Sequence, residues 1–90
     1  MAERRRRYEV QLLVTARREL IKLPARIRVR VADAIRALAA EPRPTGCKKL
    51  AGNAGYYRIR VGDYRVLYEV RDREILVLVI KIGHRREVYC

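Results

Sequence analysis

Near the start of the chain, apolar residues recur at every second position, with Glu9 and Gln11 between the first three: Tyr8, Val10, Leu12 and Val14. Alternation with a period of two is typical of a strand that buries one face. Residues 16–23 instead carry apolar side chains at helical spacing, and Thr15 is expected to cap the first turn of that helix. Pro24 ends it. The opening pattern therefore predicts one strand followed by a short helix.

A second helix is predicted to begin near Ala25 and to end before Pro42 and Pro44. Joined at Leu23–Pro24, the two helices form a hairpin that covers one face of a sheet. Residues 41–55, with two prolines and three glycines, are interpreted as a basic loop. The apolar stripe of the second helix consists of Ile27, Val31, Ala34, Ile35 and Leu38.

From Tyr56 onward the pattern is that of strands, and Gly62-Asp63 is a two-residue hairpin turn. This turn predicts a register of six pairs: Val61 with Tyr64, Arg60 with Arg65, Ile59 with Val66, Arg58 with Leu67, Tyr57 with Tyr68, and Tyr56 with Glu69. One face of the hairpin is then wholly apolar. The other face collects Arg58, Arg60 and Arg65, with Tyr56 and Glu69 near one end.

A second turn is expected at Asp72-Arg73, where it pairs Val70 with Ile75. That register places three residues of the next strand beside the arginines: Leu76, Leu78 and Ile80. Residues 74–82 are apolar on both sides and predict a central strand, with a short final strand allowed after Gly83.

These elements predict an α+β fold in the order β-α-α-β-β-β. The sheet is expected to be small and antiparallel, with four strands and room for a short fifth, and the N-terminal helical hairpin lies on one face. Ninety residues support one domain, residues 1–90, in which residues 1–7 form a flexible basic arm.

Charge adds the first functional constraint, since 22 Lys and Arg against 10 Asp and Glu give a net charge of +12. Eighteen of the 22 are arginines, whose planar guanidinium binds phosphate through two parallel hydrogen bonds. Half of the chain is hydrophobic, so the charge belongs to a domain that folds. The composition predicts a polyanionic partner.

Other chemistry is excluded by what the sequence lacks. There is no serine and a single histidine, which rules out a Ser-His catalytic pair and a multi-histidine metal site. Cys47 and Cys90 lie far apart and are interpreted as free thiols. No apolar run approaches the roughly 20 residues that cross a bilayer, so we expect a cytoplasmic protein without a membrane partner. The spacing of the cysteines offers no zinc site, and no cofactor is expected.

Two readings of the arginine cluster remain open. Like charges directly opposed across a sheet are destabilising, so Arg60 facing Arg65 is explained if an anion binds between them. Alternatively, both side chains extend into water, with Glu69 pairing Arg58. His84, Arg85 and Tyr89 follow the central strand and are candidates to close over this surface, although His84 and Tyr89 are equally compatible with ordinary surface positions.

Several motifs occur in order between Tyr8 and Tyr89: Pro42-Arg43-Pro44, Lys49-Leu50-Ala51-Gly52, the hairpin segment of residues 57–68, and Ile82-Gly83-His84-Arg85 with Val88-Tyr89. In these motifs the sequence resembles the RelE toxins of type II toxin–antitoxin systems. The resemblance implies a ribosome-dependent endoribonuclease that cleaves mRNA without a metal, by attack of the 2′-hydroxyl on the adjacent phosphate. An acidic antitoxin would hold it inactive in a hetero-oligomeric complex.

The resemblance also implies roles for individual residues. Arg58, Arg60, Arg65 and Arg85 match the family's basic catalytic positions, and Tyr89 matches its late tyrosine. Some members carry lysines where this chain has Arg58 and Arg60; because arginine keeps its proton, these arginines are expected to clamp phosphate. Tyr89 or His84 is then left for proton transfer, and Lys48, Lys49 and Tyr56 are expected to contact RNA.

Two other functions are compatible with the same sequence. A ParE-like toxin is a noncatalytic protein of the same fold that poisons DNA gyrase, and a basic RNA-binding module would have no activity. The full set of arginines with Tyr89 favours the ribonuclease, since the gyrase poisons generally lack that set.

Overall fold

The computed structural model describes residues 7–50, 52 and 55–84. Two helices precede most of a five-stranded sheet whose strand order is β1-β5-β4-β3-β2. The elements, in chain order, are β1 (Glu9–Leu12), α1 (Val14–Lys22), α2 (Ala25–Ala37), β2 (Lys48–Lys49), β3 (Tyr56–Val61), β4 (Tyr64–Arg71) and β5 (Leu76–His84).

The predicted α+β class and the helical hairpin are confirmed, and two details of the sheet differ. β1 pairs with β5 in parallel, so the sheet is mixed rather than antiparallel. The fifth strand is the two-residue β2, which pairs with β3 inside the segment predicted as a loop. The expected final strand, like the basic arm apart from Arg7, lies outside the described residues.

The predicted cap of α1 is wrong. Leu13 occupies the N-cap position without a side-chain hydrogen bond, and Thr15 lies inside the first turn. The helix follows β1 after one residue, and the Leu13 N–H donates to the carbonyl of Val79 in β5 at 2.9 Å. The sheet therefore fixes the start of α1 in place of a polar cap.

Pro24 separates α1 from α2 as expected. The preceding Leu23 is extended, with φ −70° and ψ 148°, because the proline ring disfavours a helical conformation at that position. α2 begins at the predicted Ala25 and ends well before Pro42.

The core lies between the helices and one face of the sheet. α2 contributes Val31, Ile35 and Leu38, all nearly fully buried. Tyr68 is completely buried in β4, and its hydroxyl donates to the carbonyl of Pro42 at 2.8 Å. The remaining buried sheet residues are Ile59, Val61, Val66, Val70, Val77, Val79 and Ile82. The face predicted to be apolar is thus the face that the helices cover.

All six predicted pairs of the β3–β4 hairpin are present. Gly62 has a φ of 60°, the left-handed conformation that a tight turn of this kind requires. The sequence therefore specified the register at which the arginines meet.

The predicted β4–β5 register is wrong. Residues 72–75 form a four-residue turn, so Val70 pairs with Val77 instead of Ile75. Tyr68 pairs with Val79 and Leu67 with Lys81, which leaves Ile80 as the extra residue of a β-bulge. Without the bulge, regular alternation would direct the charged Lys81 into the core.

The bulge also changes which residues of β5 lie beside the arginines. Leu76 and Leu78 pair with Arg71 and Glu69, at the opposite end of β4 from Arg65. Ile80 pairs with no residue of β4. Lys81 lies opposite Leu67, where Leu78 was expected, and Gly83 lies opposite Arg65, where Ile80 was expected.

At the end of the sheet away from the Gly62 turn, side-chain hydrogen bonds link four segments of the chain. Arg43 forms a bidentate contact with Asp72 at 2.7 and 3.3 Å, and its Nε donates to the hydroxyl of Tyr57 at 2.8 Å. The hydroxyl of Tyr8 donates to Asp72 at 2.7 Å. The hydrogen bonds from Arg43 and Tyr8 hold the pKa of Asp72 below its ordinary value of 3.8.

None of the described helices is long and apolar enough to cross a membrane.

We expect Asp72→Asn to destabilise the fold at pH 7 by about 1 kcal/mol, since one side of a charge-assisted bidentate contact is lost at a partly exposed site. The pKa of Asp72 is lowered by folding, so its contribution is present above the unfolded pKa and disappears as the pH falls through the folded value. Thermal unfolding of both proteins between pH 7 and pH 2 measures this. A stability difference that stays constant over that range would contradict the assignment.

Candidate anion-binding face

Three arginines share the sheet face opposite the helices, and we call Arg58, Arg60 and Arg65 the arginine face. Arg60 and Arg65 are direct cross-strand partners. Lys48 of β2 pairs with Arg58, and Lys81 of β5 pairs with Leu67, the other neighbour of Arg58. The register therefore brings five cationic residues from four strands to one surface.

The three arginines differ in exposure. Arg58 is 9% exposed and is the one charged residue counted as buried in the described part of the chain. Arg65 is half-buried, whereas Arg60 is exposed. Arg60 and Arg65 also line a small cleft with the turn residues Gly62, Asp63 and Tyr64. A guanidinium in such a setting is partly shielded from water, which strengthens its attraction for an anion.

Glu69, the acidic residue that could pair with Arg58, lies near Arg71 at the end of β4 away from Arg65. Its carboxylate contacts Arg71 at 3.2 Å, and this contact raises the pKa of the Arg71 guanidinium. Glu69 pairs with Tyr56 and Leu78 in the sheet, away from the Arg60–Arg65 pair. The carboxylate proposed to neutralise the cluster is therefore engaged with a cation that the cluster does not include.

His84 is the last residue of β5 and pairs with Tyr64, next to the Gly83–Arg65 pair. The two rings meet edge to face, with centroids 5.5 Å apart and planes at 81°. Tyr64 belongs to the helix-covered side of the hairpin, so the register places His84 on that side. His84 therefore lies at the rim of the arginine face and not over it.

The predicted RNA-contacting residues divide between the two sides of the sheet. Lys48 extends the arginine face beside Arg58, and Tyr56 lies on the same face opposite Glu69. Lys49 pairs with Tyr57 and so belongs to the other side. The remaining predicted site residues, Arg85 and Tyr89, lie outside the described residues.

Sequence reasoning missed Lys81 because it assumed regular alternation along β5. The available signal was the segment Ile80-Lys81-Ile82, in which a lysine occupies a position that alternation assigns to the core. Lys81 also contacts Glu19 of α1 at 2.9 Å. Its ammonium is therefore directed toward the edge of the sheet by an acidic partner.

The described residues contain no group of three or more His, Cys, Asp or Glu side chains arranged to hold a metal ion. Cys47 is a free, half-buried thiol, and Cys90 lies outside the described residues. What the face offers chemically is a set of fixed positive charges on a β-sheet.

Comparison with known proteins defines the class to which this fold and face belong. The family model of the ParE toxin of the type II toxin–antitoxin system parDE matches residues 10–89. Toxin RelG of Mycobacterium tuberculosis is 37% identical over 83 residues, which cover 91% of this chain and 95% of RelG. The chain is thus a toxin of the type II toxin–antitoxin class.

Solved structures agree with that assignment. The toxin–antitoxin complex RelBE2 from Mycobacterium tuberculosis contains a chain that is 36% identical, with a TM-score of 0.77 and coverage of 93% of this chain and 98% of that one. The archaeal RelE–RelB complex from Pyrococcus horikoshii gives 29% identity and a TM-score of 0.79 over 90% and 98%. The chain belongs to the RelE/ParE toxin family and is of the RelE type, as its sequence motifs predicted.

We expect Arg60→Gln to stabilise the isolated protein by about 0.2–1 kcal/mol at low salt, because it removes one of two opposed like charges. Screening should abolish the gain near 1 M salt, where the Debye length is roughly 3 Å. Denaturant titration at both salt concentrations measures the effect. Arg73→Gln, in the exposed β4–β5 turn, is the control for net charge; equal effects of the two substitutions would show that the opposed pair is not under electrostatic strain.

Proposed function

We propose that this toxin is a ribosome-dependent endoribonuclease that cleaves mRNA by attack of a 2′-hydroxyl on the adjacent phosphate. The observation that carries the proposal is the arginine face, with Arg60 directly opposite Arg65 and Arg58 beside them. A phosphate that binds between such guanidinium groups can accept charge-assisted hydrogen bonds from more than one of them and offsets the cost of bringing like charges together.

The attack creates a phosphorane with more negative charge than the starting phosphodiester. Donors that are already oriented toward that charge stabilise the transition state without reorganising during the reaction. Arg58 and Arg65 meet this requirement best, because both are at least half-buried and are held on paired strands. We assign phosphate binding to these two residues and to the more exposed Arg60, with Lys48 extending the track for the RNA backbone.

Proton transfer needs other groups, since a guanidinium keeps its proton throughout the accessible pH range. Tyr89 and His84 are the proposed candidates, one to remove the proton from the 2′-hydroxyl and one to protonate the leaving 5′-oxygen. Of the two, Tyr89 is the preferred candidate, because the packing of His84 against Tyr64 turns the imidazole toward the helix-covered side of the sheet. No metal or cofactor enters this scheme.

The proposed partners are the ribosome, its mRNA and a cognate acidic antitoxin. Related toxins have been solved in complexes with RelB antitoxins, including those of Escherichia coli and Methanococcus jannaschii. A net charge of +12 would steer an acidic segment toward the chain at a rate that depends on salt. We propose that the antitoxin inhibits by covering the arginine face within a hetero-oligomeric complex in the cytoplasm.

A second candidate function is poisoning of DNA gyrase without catalysis, and the matching ParE family model is the observation in its favour. Induction of the toxin separates the two. A ribonuclease halts translation and produces mapped transcript ends, whereas a gyrase poison triggers a DNA damage response while translation continues.

We expect Arg65→Ala and Arg85→Ala each to reduce cleavage of ribosome-bound mRNA about 100- to 1,000-fold, because each removes one proposed donor to the developing charge. The melting temperature should stay at or above that of the wild type. Transcript-end mapping and thermal unfolding of the purified proteins are the two measurements.

Arg73→Ala is the matched control, since it removes the same charge from an exposed turn away from the face. It should retain wild-type toxicity. If Arg65→Ala and Arg85→Ala were fully toxic, or lost toxicity only together with the fold, the catalytic roles proposed for Arg65 and Arg85 would be wrong.

We expect Tyr89→Phe to slow single-turnover cleavage about 100-fold or more and to remove one limb of the pH–rate profile, because it deletes only the hydroxyl that transfers the proton. His84→Gln tests the imidazole in the same assay. A Phe variant with the wild-type rate, beside an inactive Ala variant, would limit Tyr89 to stacking. Full rates in both Tyr89→Phe and His84→Gln would leave neither side chain as acid or base.

A further inference from the structure

The outer edge of β5 changes its neighbour partway along the strand. β1 pairs with β5 as far as Leu12 opposite Val79, and the chain then enters α1 at Val14. Beyond Val79 the same edge lies against α1. Backbone N–H groups of β5 that point to this outer edge therefore need acceptors from a helix, whose own carbonyls are mostly used within the helix.

Glu19 of α1 supplies that partner. Its Oε1 accepts a hydrogen bond from the backbone N–H of Ile82 at 2.8 Å, and its Oε2 accepts one from Lys81 Nζ at 2.9 Å. Ile82 is 2% exposed, so its N–H would otherwise be buried without an acceptor. A carboxylate is a strong acceptor, and the side chain of Glu19 is itself only 29% exposed.

Because of the bulge at Ile80, the Glu19 contact with Ile82 affects the register of the last residues of β5. Residues before the bulge are aligned by β1 and β4 together, but the extra residue uncouples the alignment of residues 81–84 from theirs. A shift of one residue would move every side chain of this segment to the other face. On the outer edge, the Glu19 contact with Ile82 opposes that shift.

We propose that Glu19 is a positioning residue, which holds the end of β5 so that Gly83 stays opposite Arg65 of the arginine face. Gly83 directly follows the residue whose N–H Glu19 accepts, and it is the cross-strand partner of Arg65. The inference rests on the proposed role of the arginine face. It requires no contact between Glu19 and RNA.

Three variants separate the two bonds of Glu19. Glu19→Ala removes both, Glu19→Gln keeps a carbonyl acceptor for the Ile82 N–H, and Lys81→Met removes the ion pair alone. Glu74→Ala is the control, because Glu74, like Glu19, contacts a cationic side chain (Arg71 at 3.7 Å) but lies in the turn at the other end of β5. Amide hydrogen exchange at Ile82 and single-turnover cleavage on saturating ribosomes are measured for each.

Glu19→Ala should raise the exchange rate of the Ile82 amide about tenfold or more relative to Glu74→Ala, as loss of a hydrogen bond to a charged group predicts. Cleavage should slow about ten- to a hundredfold, with the ribosome concentration for half-saturation unchanged, because the catalytic groups are misplaced while binding is intact. Glu19→Gln should recover most of the rate, and Lys81→Met should leave the exchange rate of the Ile82 amide at its wild-type value, because Glu19 Oε1 still accepts from that N–H.

Wild-type cleavage by Glu19→Ala would overturn the inference. So would a rise in Ile82 amide exchange in Lys81→Met as large as that in Glu19→Ala, or a loss of cleavage that disappears on cooling in step with recovery of the fold. If the wild-type toxin arrests growth without cutting transcripts, the proposed function fails separately. Growth arrest then replaces cleavage as the activity, and the ranking of Glu19→Ala, Glu19→Gln and Glu74→Ala decides the role of Glu19.

Discussion

The strict alternation of side chains in the β3–β4 hairpin is the constraint on which the rest of the structure depends. Once the Gly62 turn sets the register, Ile59 and Val66 are buried beneath the helices. The residues that alternate with them along the two strands, including Arg60 and Arg65, then lie on the opposite face of the sheet. Burying one such aliphatic side chain is worth about 1.5–3 kcal/mol, whereas an opposed charge pair costs roughly 0.2–1 kcal/mol. The core therefore wins, and the arginines are held together despite their repulsion.

The parts of the fold that the sequence predicts are those set by local residues. The hairpin register followed from Gly62-Asp63, because a two-residue turn leaves one way to pair its strands. The β4–β5 register did not, since the four-residue turn at 72–75 and the bulge at Ile80 are set by tertiary packing. β2 has two residues and so no periodicity, and the parallel pairing of β1 is a property of the crossover rather than of any local pattern.

The candidate site follows this division between local and tertiary information. Arg58, Arg60 and Arg65 were predicted as one cluster because all three belong to the hairpin. Lys81 was missed, and His84 was one candidate to close over the face, because both lie beyond the bulge, which reverses the side of the sheet to which each following residue points. A single unpaired residue thus separates the part of the site that sequence periodicity specifies from the part that depends on α1.

Arg60 and Arg65 are cross-strand partners, and an anion that binds between two opposed like charges offsets the cost of their proximity. A ligand that binds only the folded state stabilises it by mass action, so RNA and an acidic antitoxin segment on this face would each raise stability as well as compete with each other. In the proposed function, the arginines that bind the substrate are the same arginines that the antitoxin covers, so substrate and inhibitor exclude each other.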